Sequence, residues 1–461
     1  MLLPFPIEMD YHCGCDATKN SSLPGRDFTL KTLAGLLAVC LLCVGIPSSH
    51  AADRPNVVMI ISDDHAWTDY GFMGHKIIQT PNIDRLAQNS LTFRRGYVTS
   101  SLCCPSLASI ITGMYPHQNK ITSNDPPIPV GMTNAEFNRS PEFQRERERM
   151  NKHLESCVTL PKLLKENGYL SLQTGKWWQG HYSRGGFTDG MTQGGRHGDD
   201  GLVIGRKTME PIMSFMDKSI ASKSPFFVWY APLLPHDPHT PPDRLLEKYK
   251  DKTDSIHIAK YWAMVEWFDE SVGQLMDGLK ERGQSENTII VYVADNGWIQ
   301  SPDNPRYAPK SKQSQYDGGL RTPIMVHWPK KIAPKMSADL AQSIDLMPTL
   351  RSALGLPVDK SLPGINLLDE AAVKSRKTLF GECFTHNSND LDVPAKSLRW
   401  RWVIDGNTKL IIPNPSVEPK EKIELYQLDT DPTEIRNLAD SEKTRVADLQ
   451  AKLDGWWNPG Q

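Results

Sequence analysis

The chain has 461 residues, 39% of them hydrophobic and 23% charged, with a formal net charge of −2 at pH 7. This composition is typical of a globular protein with enough apolar residues for a sizeable core. It has neither the basic excess of a nucleic-acid-binding protein nor a long block of like charges, so we expect no nucleic-acid partner.

The N-terminal residues have the pattern of a secretory signal. Arg26 and Lys31 precede an apolar run over residues 33–46, and small residues follow up to Ala51. A run of about 14 residues is shorter than the ~20 that a membrane-spanning helix needs. We predict a leader and signal peptide over residues 1–51, a secreted or periplasmic mature chain and no stable membrane insertion. An uncleaved membrane anchor is the alternative.

Cysteine usage does not indicate a disulfide-stabilised scaffold. Four of the eight cysteines lie in the predicted leader, which leaves Cys103, Cys104, Cys157 and Cys383 in the mature chain. Adjacent cysteines do not pair easily with each other, so at most one bridge is conceivable, between Cys157 and Cys383.

Alternating strand and helix patterns fill the first part of the mature chain. Continuous apolar, β-branched runs predict buried strands over residues 56–62, 225–230 and 288–294. Apolar residues at helical spacing predict helices over residues 83–89, 160–167 and 261–282. This alternation favours an α/β fold in which helices sandwich a largely parallel sheet.

The sequence changes character near residue 370. Residues 378–383 and 399–412 alternate like short antiparallel strands, and residues 441–457 have the pattern of a closing helix. We predict a main domain over residues 52–370 and a smaller C-terminal subdomain over residues 371–461, which contains a short antiparallel sheet and a helix.

Two predicted strands run directly into acidic or amide side chains. Asp63 and Asp64 follow the first strand, and Asp295 and Asn296 follow the strand over residues 288–294. Sites in parallel α/β sheets form at the carboxyl ends of strands, so these residues are candidates for one site. Either pair alone is more commonly a turn or a helix cap than a site.

A cysteine-containing segment follows, SSLCCPSLASIITGMYPH over residues 100–117. Pro105 suits the first turn of a helix that residues 106–111 can continue and Gly113 can end. Cys103 then lies just before a helix N-terminus, where backbone N–H groups favour an anion and lower the pKa of a thiol. A cysteine nucleophile and a buried structural cysteine both remain open on this ground alone.

The same segment resembles the signature Cys-x-Pro-Ser-x-Ala-Ser…Thr-Gly, followed by Tyr-Pro-His, of the formylglycine-dependent sulfatases in the alkaline-phosphatase superfamily. The resemblance implies that Cys103 is oxidised to formylglycine by a formylglycine-generating or equivalent modifying enzyme, with Cys104 as the variable neighbour. The hydrated aldehyde would attack sulfur, and its second hydroxyl would collapse to release sulfate and restore the aldehyde. The resemblance extends over residues 54–457.

Both acidic pairs stand in the family's order around Cys103. The resemblance implies that Asp63, Asp64, Asp295 and Asn296 bind a divalent metal together with the modified Cys103. Oxygen-donor side chains suit a hard cation; Ca²⁺ is the ion we expect, with Mg²⁺ as the alternative. Such an ion would hold the nucleophile's oxygen and the sulfate oxygens.

Three further positions match the family's sulfate-binding residues: Lys176 in Gly-Lys-Trp, His239 in His-x-Pro-His-x-Pro and Lys312 in Lys-x-x-x-Tyr-Asp-Gly-Gly. The resemblance implies that Lys176 lies beside the nucleophile, that His239 contacts the sulfate and the leaving oxygen, and that Lys312 can protonate that oxygen. His236 is a further candidate substrate-binding residue. Without the motif context, each lysine would be a surface charge and each histidine a loop residue.

Two positions depart from the family's pattern. Leu107 stands where the family usually has an arginine two residues after the proline, and Trp178 stands where a histidine often follows Gly-Lys-Trp. The missing histidine supports the nucleophile's hydroxyl in the family, and His181 is a candidate replacement. The glycine-rich stretch over residues 183–201 is either a substrate-facing loop or a flexible surface loop.

We therefore predict a sulfuric ester hydrolase whose substrate is a sulfated small molecule or glycan, with a sulfated carbohydrate favoured over a simple aryl sulfate. The alternatives are a phosphodiesterase or phosphonate hydrolase on the same fold, and a catalytically impaired protein that binds sulfated glycans. The last alternative is motivated by Leu107 and Trp178.

Overall fold

The computed structural model of the chain describes residues 54–460. The predicted signal peptide lies outside the described residues, so its cleavage and the location of the protein stay predictions. Within the described range, no helix is both long enough and apolar enough to cross a membrane.

Residues 54–460 contain twelve strands. In chain order they are β1 (Asn56–Ser62), β2 (Leu91–Tyr97), β3 (Leu170–Gly175), β4 (Asp189–Gly190), β5 (Phe226–Ala231), β6 (Thr288–Ala294), β7 (Arg321–His327), β8 (Lys335–Gln342), β9 (Thr378–Phe384), β10 (Leu398–Asp405), β11 (Thr408–Pro413) and β12 (Glu424–Gln427). Eight of them form one sheet in the order β4-β3-β5-β1-β6-β7-β2-β8, and the last four form a second sheet in the order β12-β11-β10-β9.

In the same described part of the chain, thirteen α-helices lie between and around these strands. They are α1 (Pro81–Gln88), α2 (Cys103–Thr112), α3 (Pro116–Asn119), α4 (Asn134–Phe137), α5 (Pro141–Glu155), α6 (Leu160–Glu166), α7 (Glu210–Ala221), α8 (Asp243–Tyr249), α9 (Ile256–Glu281), α10 (Asp317–Leu320), α11 (Leu346–Ala353), α12 (Glu370–Ser375) and α13 (Lys443–Trp456).

The larger sheet is mostly parallel and is covered by helices on both faces. Strands β4, β3, β5, β1 and β6 run parallel to one another, while β7 is antiparallel to both β6 and β2. All seven residues of β1 are buried, which explains why its sequence is a continuous apolar run rather than an alternating one. The predicted α/β sandwich is confirmed.

Alternate residues of β1 contribute to two different apolar clusters, because successive side chains of a strand point to opposite faces. Val57, Met59 and Ile61 pack in a cluster that includes Ile110 of α2. Val58 and Ile60 pack in the other cluster, with Met264, Phe268 and Val272 of α9. The sheet is therefore held between two apolar layers, and α2, which begins at Cys103, is fixed by one of them.

The smaller sheet is antiparallel throughout. Trp402 on one face of β10 packs with Tyr97 of β2, so this face contacts the larger sheet. Val403 on the other face packs with Leu449 and Leu453 of α13. The predicted C-terminal antiparallel sheet and closing helix are both present. The boundary at residue 371 stays a prediction, since the described residues belong to one compact unit.

Candidate active site

The predicted site residues meet at one edge of the larger sheet. Strands β3, β5, β1 and β6 are adjacent and parallel, so their carboxyl ends lie side by side. The residues that follow these ends are Lys176 after β3, His236 and His239 after β5, Asp63 and Asp64 after β1, and Asp295 and Asn296 after β6. This is the edge at which ligands bind in open α/β sheets.

The turns after β1 and β6 are connected by hydrogen bonds. The backbone N–H of Asp295 donates to the carbonyl oxygen of Ser62 at 2.9 Å, and that of Asp63 donates to Leu234 at 2.9 Å. The backbone N–H of Asp64 donates to Asp295 Oδ1 at 3.0 Å. Asp64 has a φ of 61°, in the left-handed region that an aspartate tolerates better than most residues. These contacts fix both acidic pairs relative to each other.

Glycine is required directly after Asn296. A Cβ atom on Gly297 would lie 2.1 Å from the carbonyl oxygen of Gly318, and the Gly297 N–H donates to Gly319 at 2.9 Å. The close approach of two backbone segments explains the glycine of the Asp-Asn-Gly sequence without any role in the chemistry.

Cys103 lies at the bottom of the site and contacts Lys176. It is the first residue of α2 and is only 1% exposed. Lys176 Nζ donates to Cys103 Sγ at 3.3 Å and to Asp63 Oδ1 at 2.7 Å. The expectation that Lys176 lies beside the nucleophile position therefore agrees with the geometry.

The electrostatics at Cys103 differ from the expectation for a helix N-terminus. Burial raises the pKa of the Cys103 thiol, even though Lys176 and Lys312 lie nearby and favour the thiolate. The expected lowering of this pKa is wrong, because burial outweighs the effect of the helix N-terminus and of both lysines. The unmodified residue is therefore a neutral thiol and a poor nucleophile.

Four potential ligand atoms are close enough to share one metal ion. One ligand atom each from Asp63, Asp64, Cys103 and His236 lies within 4.8 Å of all the others. His236 Nε2 is 3.3 Å from Asp64 Oδ2, so this histidine, predicted as a substrate-binding residue, lies next to the carboxylates.

Three of the predicted metal ligands have a buried side-chain oxygen that forms no hydrogen bond with the described residues, as expected of atoms that bind a cation. Asp63 Oδ2, Asp295 Oδ2 and Asn296 Oδ1 are buried, and none has a hydrogen-bond partner within residues 54–460. Buried oxygens without partners are costly and rare in folded proteins. Three of them on the predicted ligands, with a carboxylate-rich donor set, fit a hard divalent cation such as Ca²⁺ or Mg²⁺.

The charges of the site also fit a cation. Three carboxylates, those of Asp63, Asp64 and Asp295, are buried together with the two ammonium groups of Lys176 and Lys312. Burial raises the pKa of Asp63 to about 7 despite the nearby positive charges of His236 and Lys176. Burial also raises the pKa of Asp295, and the negative charge of Asp64 adds to this effect. The three carboxylates outnumber the two ammonium groups, and burial disfavours the ionised forms of Asp63 and Asp295, which a bound cation would favour.

Two further predicted residues reach the same site from loops. Lys312 lies in the loop between β6 and α10, and His239 lies in the loop after β5. Lys312 Nζ donates to Asp64 Oδ2 at 2.6 Å. Although burial opposes it, the charge of Lys312 holds the pKa of Asp64 well below its usual range. His239 packs against Tyr261 and Trp298, and its buried Nε2 has no hydrogen-bond partner in the described part of the chain. Burial lowers the pKa of His239 to about 4, so this ring is neutral at neutral pH.

A cavity of about 720 Å³ opens above Cys103. It is lined by Cys103, Asn124, Trp178, Arg196, His197, His236, Asp237, Pro238, His239, His257, Lys260, Trp298, Pro305, Arg306, Tyr307, Lys312, Gln313 and His386. Most of its titratable side chains are cationic or imidazole groups and only Asp237 is acidic, so the cavity suits an anionic ligand.

Several of these lining residues were not predicted from the sequence. Lys260 lies in α9, and Arg306 and Tyr307 lie in the loop after β6. No motif or periodicity distinguishes them from ordinary surface residues, because their position depends on how distant segments fold together. Asn124 is likewise brought in by a loop, where its Oδ1 accepts a hydrogen bond from the Cys104 N–H at 3.0 Å.

The two departures from the family pattern have different surroundings. Leu107 is 2% exposed and packs in the apolar cluster on the α2 side of the sheet. Trp178 lines the cavity, and the guanidinium groups of Arg147 and Arg196 lie over its ring at 5.5 and 4.9 Å. The first departure thus lies in the core, and the second lies in the site.

The glycine-rich stretch contributes to the site only through its second half. Arg196 and His197 line the cavity. His181, the candidate replacement for the missing histidine, instead contacts the Ser183 hydroxyl through Nδ1 at 2.8 Å and is not among the residues that line the cavity.

The four cysteines of the described chain are free thiols. Cys157 donates to the carbonyl oxygen of His153 at 3.2 Å, and Cys383 donates to that of Ser314 at 3.4 Å. The bridge that the sequence left conceivable between Cys157 and Cys383 does not form.

Comparison with known proteins identifies the family. The "Sulfatase" family model matches residues 55–356, more than half of the chain, and the "N-sulphoglucosamine sulphohydrolase, C-terminal" model matches residues 310–456. Among curated proteins, N-acetylgalactosamine-6-sulfatase of Mus musculus is 28% identical over 384 residues, which cover 73% of this chain and 70% of that protein.

Solved structures show the same fold. The crystal structure of Ps i-CgsB in complex with k-i-k-neocarrahexaose has a TM-score of 0.69 and 24% identity, covering 88% of this chain and 94% of that one. A structure in complex with D-glucosamine-2-N,6-O-disulfate has a TM-score of 0.68 and 19% identity, covering 88% and 98%. The resemblance noted at the Cys103 segment is confirmed by these matches: the chain belongs to the sulfatase family of the alkaline-phosphatase superfamily and is a sulfuric ester hydrolase.

Proposed function

We propose that this sulfatase uses formylglycine at position 103 and a divalent metal ion to hydrolyse sulfate esters of a sulfated carbohydrate. The observation that carries the proposal is the set of unpaired buried oxygens on Asp63, Asp295 and Asn296. They lie at the same sheet edge as Cys103, which matches the formylglycine position of the family signature.

Formylglycine and a divalent metal ion would supply the parts of the chemistry that the unmodified side chains cannot. Oxidation of Cys103 to formylglycine would replace a buried thiol with an aldehyde, whose hydrate offers an oxygen nucleophile. A Ca²⁺ or Mg²⁺ ion held by Asp63, Asp64, Asp295 and Asn296 would stabilise negative charge on oxygen atoms at the nucleophile and on the sulfate.

The side chains already in place orient the ester and handle its charge. The Lys176 ammonium group is held by Asp63 and contacts Cys103 Sγ. From this position it can donate a hydrogen bond to the nucleophile or to a sulfate oxygen. Lys312 and His239 also line the cavity; the Lys312 ammonium group can donate a proton to the leaving oxygen, and the neutral His239 ring can donate a hydrogen bond to it. His239 suits this role because its Nε2 has no competing partner in the described chain.

A carbohydrate substrate is favoured by the shape of the cavity and by the known relatives. The cavity is open and lined by aromatic, imidazole and cationic groups, a combination suited to a polar ring that carries negative charge. The matched mouse protein is named for a sulfated amino sugar, and both solved structures were determined with sugar ligands. We infer the same substrate class here, a sulfated glycan or a small sulfated sugar.

Maturation and location complete the proposal. A formylglycine-generating or equivalent enzyme would oxidise Cys103, and the signal peptide predicted before residue 52 would direct the chain to the periplasm or the exterior. N-terminal sequencing of the protein secreted by its own host tests the location; a mature chain that begins after Ala51 is the expected result.

The test compares two adjacent cysteines. We expect Cys103→Ala to abolish hydrolysis of sulfated sugars and Cys104→Ala to retain most of it, because only position 103 matches the modified residue. Both variants should show the circular dichroism of the wild-type chain. Equal loss of activity in both variants, or near-normal activity of Cys103→Ala, would contradict the proposal.

Parallel assays on phosphate diesters and phosphonate esters separate the main alternative. We expect kcat/KM for the preferred sulfated sugar to exceed the values for these esters. A higher value for a phosphate diester would favour the phosphodiesterase hypothesis. Calcium-dependent binding of sulfated glycans without turnover would favour the impaired, glycan-binding hypothesis.

A further inference from the structure

His197 has a backbone conformation that histidine rarely adopts. Its φ is 71°, and it lies in a kinked 3₁₀ segment, Arg196–Val203, in which Gly198 and Asp199 also have positive φ values of 125° and 44°. A left-handed non-glycine residue costs free energy, and such residues persist where the surroundings hold them and cluster at functional sites.

The surroundings hold this segment by backbone contacts. The Trp177 N–H donates to the His197 carbonyl at 3.1 Å, and Thr192 Oγ1 donates to that of Gly198 at 3.0 Å. A Cβ atom on Gly198 would lie 2.3 Å from the Gly175 carbonyl oxygen. The end of β3 and the residue after Lys176 thus hold the backbone of His197 and Gly198 in place.

The side chain of His197 packs against the residue that departs from the family pattern. Its ring meets the Trp178 ring edge-to-face, with centroids 4.2 Å apart. Arg196 covers the same indole ring at 4.9 Å and forms a bidentate pair with Asp125, at 2.9 and 2.7 Å. Trp178, which stands where the family often has a histidine, therefore packs against the imidazole ring of another histidine, His197.

The ring nitrogens of His197 are available to a ligand. No side-chain hydrogen bond of His197 is found between residues 54 and 460, and the residue lines the cavity above Cys103 together with Lys312. Its ring centroid is 6.3 Å from that of His236, which itself contacts Asp64. Burial, followed by the charges of Lys176 and Arg196, lowers the pKa of His197, so the neutral ring offers one N–H donor and one acceptor.

We propose that His197 is a catalytic residue that donates a hydrogen bond to the sulfate group bound at Cys103. This inference rests on the proposed function and adds to it a sulfate-contacting residue supplied by the glycine-rich stretch. His181, the nearer histidine in sequence, does not have this role, because its ring is engaged by Ser183 outside the cavity.

The test uses substitutions that the backbone tolerates. Glycine adopts positive φ without strain and removes the ring, and asparagine tolerates it and keeps an amide donor. We expect His197→Gly to lower kcat on a sulfate ester by about 10²-fold, the typical effect of losing one donor to a developing negative charge. His197→Asn should lose less, and His181→Ala, the matched control from the same stretch, should stay within about twofold.

Two further readouts distinguish contact with the sulfate from support of the fold. Added imidazole should restore part of the turnover of His197→Gly, whose ring-sized space opens to the cavity. Binding of inorganic sulfate, measured by calorimetry on the full chain, should weaken about tenfold in His197→Gly and not change in His181→Ala. Mass spectrometry of the Cys103 peptide in each variant ensures that they are equally modified.

The outcomes separate this inference from the proposed function. Wild-type turnover of sulfate esters with equal kcat and equal sulfate affinity in His197→Gly would overturn the role of His197 and leave the proposed function intact. Loss of sulfate binding in His197→Gly, in a wild-type protein that binds sulfate but hydrolyses no ester, would support the contact and contradict the proposed reaction.

Discussion

The substitution Asp295→Asn tests the metal site without removing the hydrogen bonds that fix it. Asp295 Oδ1 accepts from the backbone N–H groups of Asp64 and Asn296 at 3.0 and 2.6 Å, and an asparagine Oδ1 can accept both. Oδ2, which has no partner in the described chain, becomes an amide nitrogen that cannot bind a cation. The change therefore removes one proposed ligand atom and one buried negative charge.

The magnitude follows from binding linkage. At a Ca²⁺ concentration about 100 times its dissociation constant, the ion adds about 2.7 kcal/mol to the free energy of unfolding of the wild-type protein. If the loss of one ligand weakens binding about 100-fold, the same concentration adds only about 0.4 kcal/mol to the variant. In chelator, the substitution has two opposing effects: the neutral amide oxygen accepts weaker hydrogen bonds, and the repulsion from Asp63 and Asp64 is relieved. The free energies of unfolding of the two proteins should therefore differ by about 1 kcal/mol or less.

Urea unfolding in EDTA measures the difference between the two proteins without metal, and urea unfolding in CaCl₂ measures the gain in free energy of unfolding that Ca²⁺ gives each of them. The matched control is Asp237→Asn, which removes a carboxylate from the same cavity but not one of the proposed ligands; Asp237 is instead 2.9 Å from His236 Nδ1. We expect the control to keep the full Ca²⁺-dependent gain. An equal gain in wild type and Asp295→Asn, or no gain in the wild-type protein with either Ca²⁺ or Mg²⁺, would refute the assignment of the metal ligands.

Three further substitutions test other parts of the site. Leu107→Ala should lower the free energy of unfolding by about 2–5 kcal/mol in chemical denaturation, because it removes a core side chain, whereas kcat of the folded protein should hold; a loss of kcat without loss of stability would place Leu107 in the site instead. Gly297→Ala should abolish Ca²⁺-dependent stabilisation in a thermal melt, since its Cβ would lie 2.1 Å from the Gly318 oxygen and displace the neighbouring ligand; an unaltered Ca²⁺ response would exclude this close approach. Lys312→Met should reduce kcat roughly 10²–10⁴-fold, more for sugar sulfates than for aryl sulfates with good leaving groups, and an equal loss on both substrate types would argue against proton donation by Lys312.

The fold was predictable where the sequence pattern has one physical cause. Strands β1 and β6 begin and end where the apolar runs at residues 56–62 and 288–294 do, because a parallel strand buried on both faces has no polar position inside it. Helix α9 begins five residues before the predicted start at Tyr261. The five residues before Tyr261 include the polar His257 and Lys260, which both line the cavity, so the apolar periodicity is weaker there.

The composition of the site was predictable only in part. Asp63 and Asp295 could be placed together because each follows a predicted strand, whereas Lys176 was placed only by the family resemblance, since strand β3 before it was not predicted. The burial that raises the pKa of Cys103 was not predictable, since it comes from the packing of the whole α2 region. The role of His197 was also hidden: its position depends on a positive φ and on contacts with the end of β3, neither of which a spacing rule describes.

Mass spectrometry of the peptide that contains Cys103, from protein produced in its own host, tests the formylglycine proposal most directly. We expect an aldehyde in place of the Cys103 thiol and an unmodified thiol on the adjacent Cys104. An intact thiol at both positions in active protein would contradict the formylglycine mechanism, because hydrolysis would then proceed without the aldehyde.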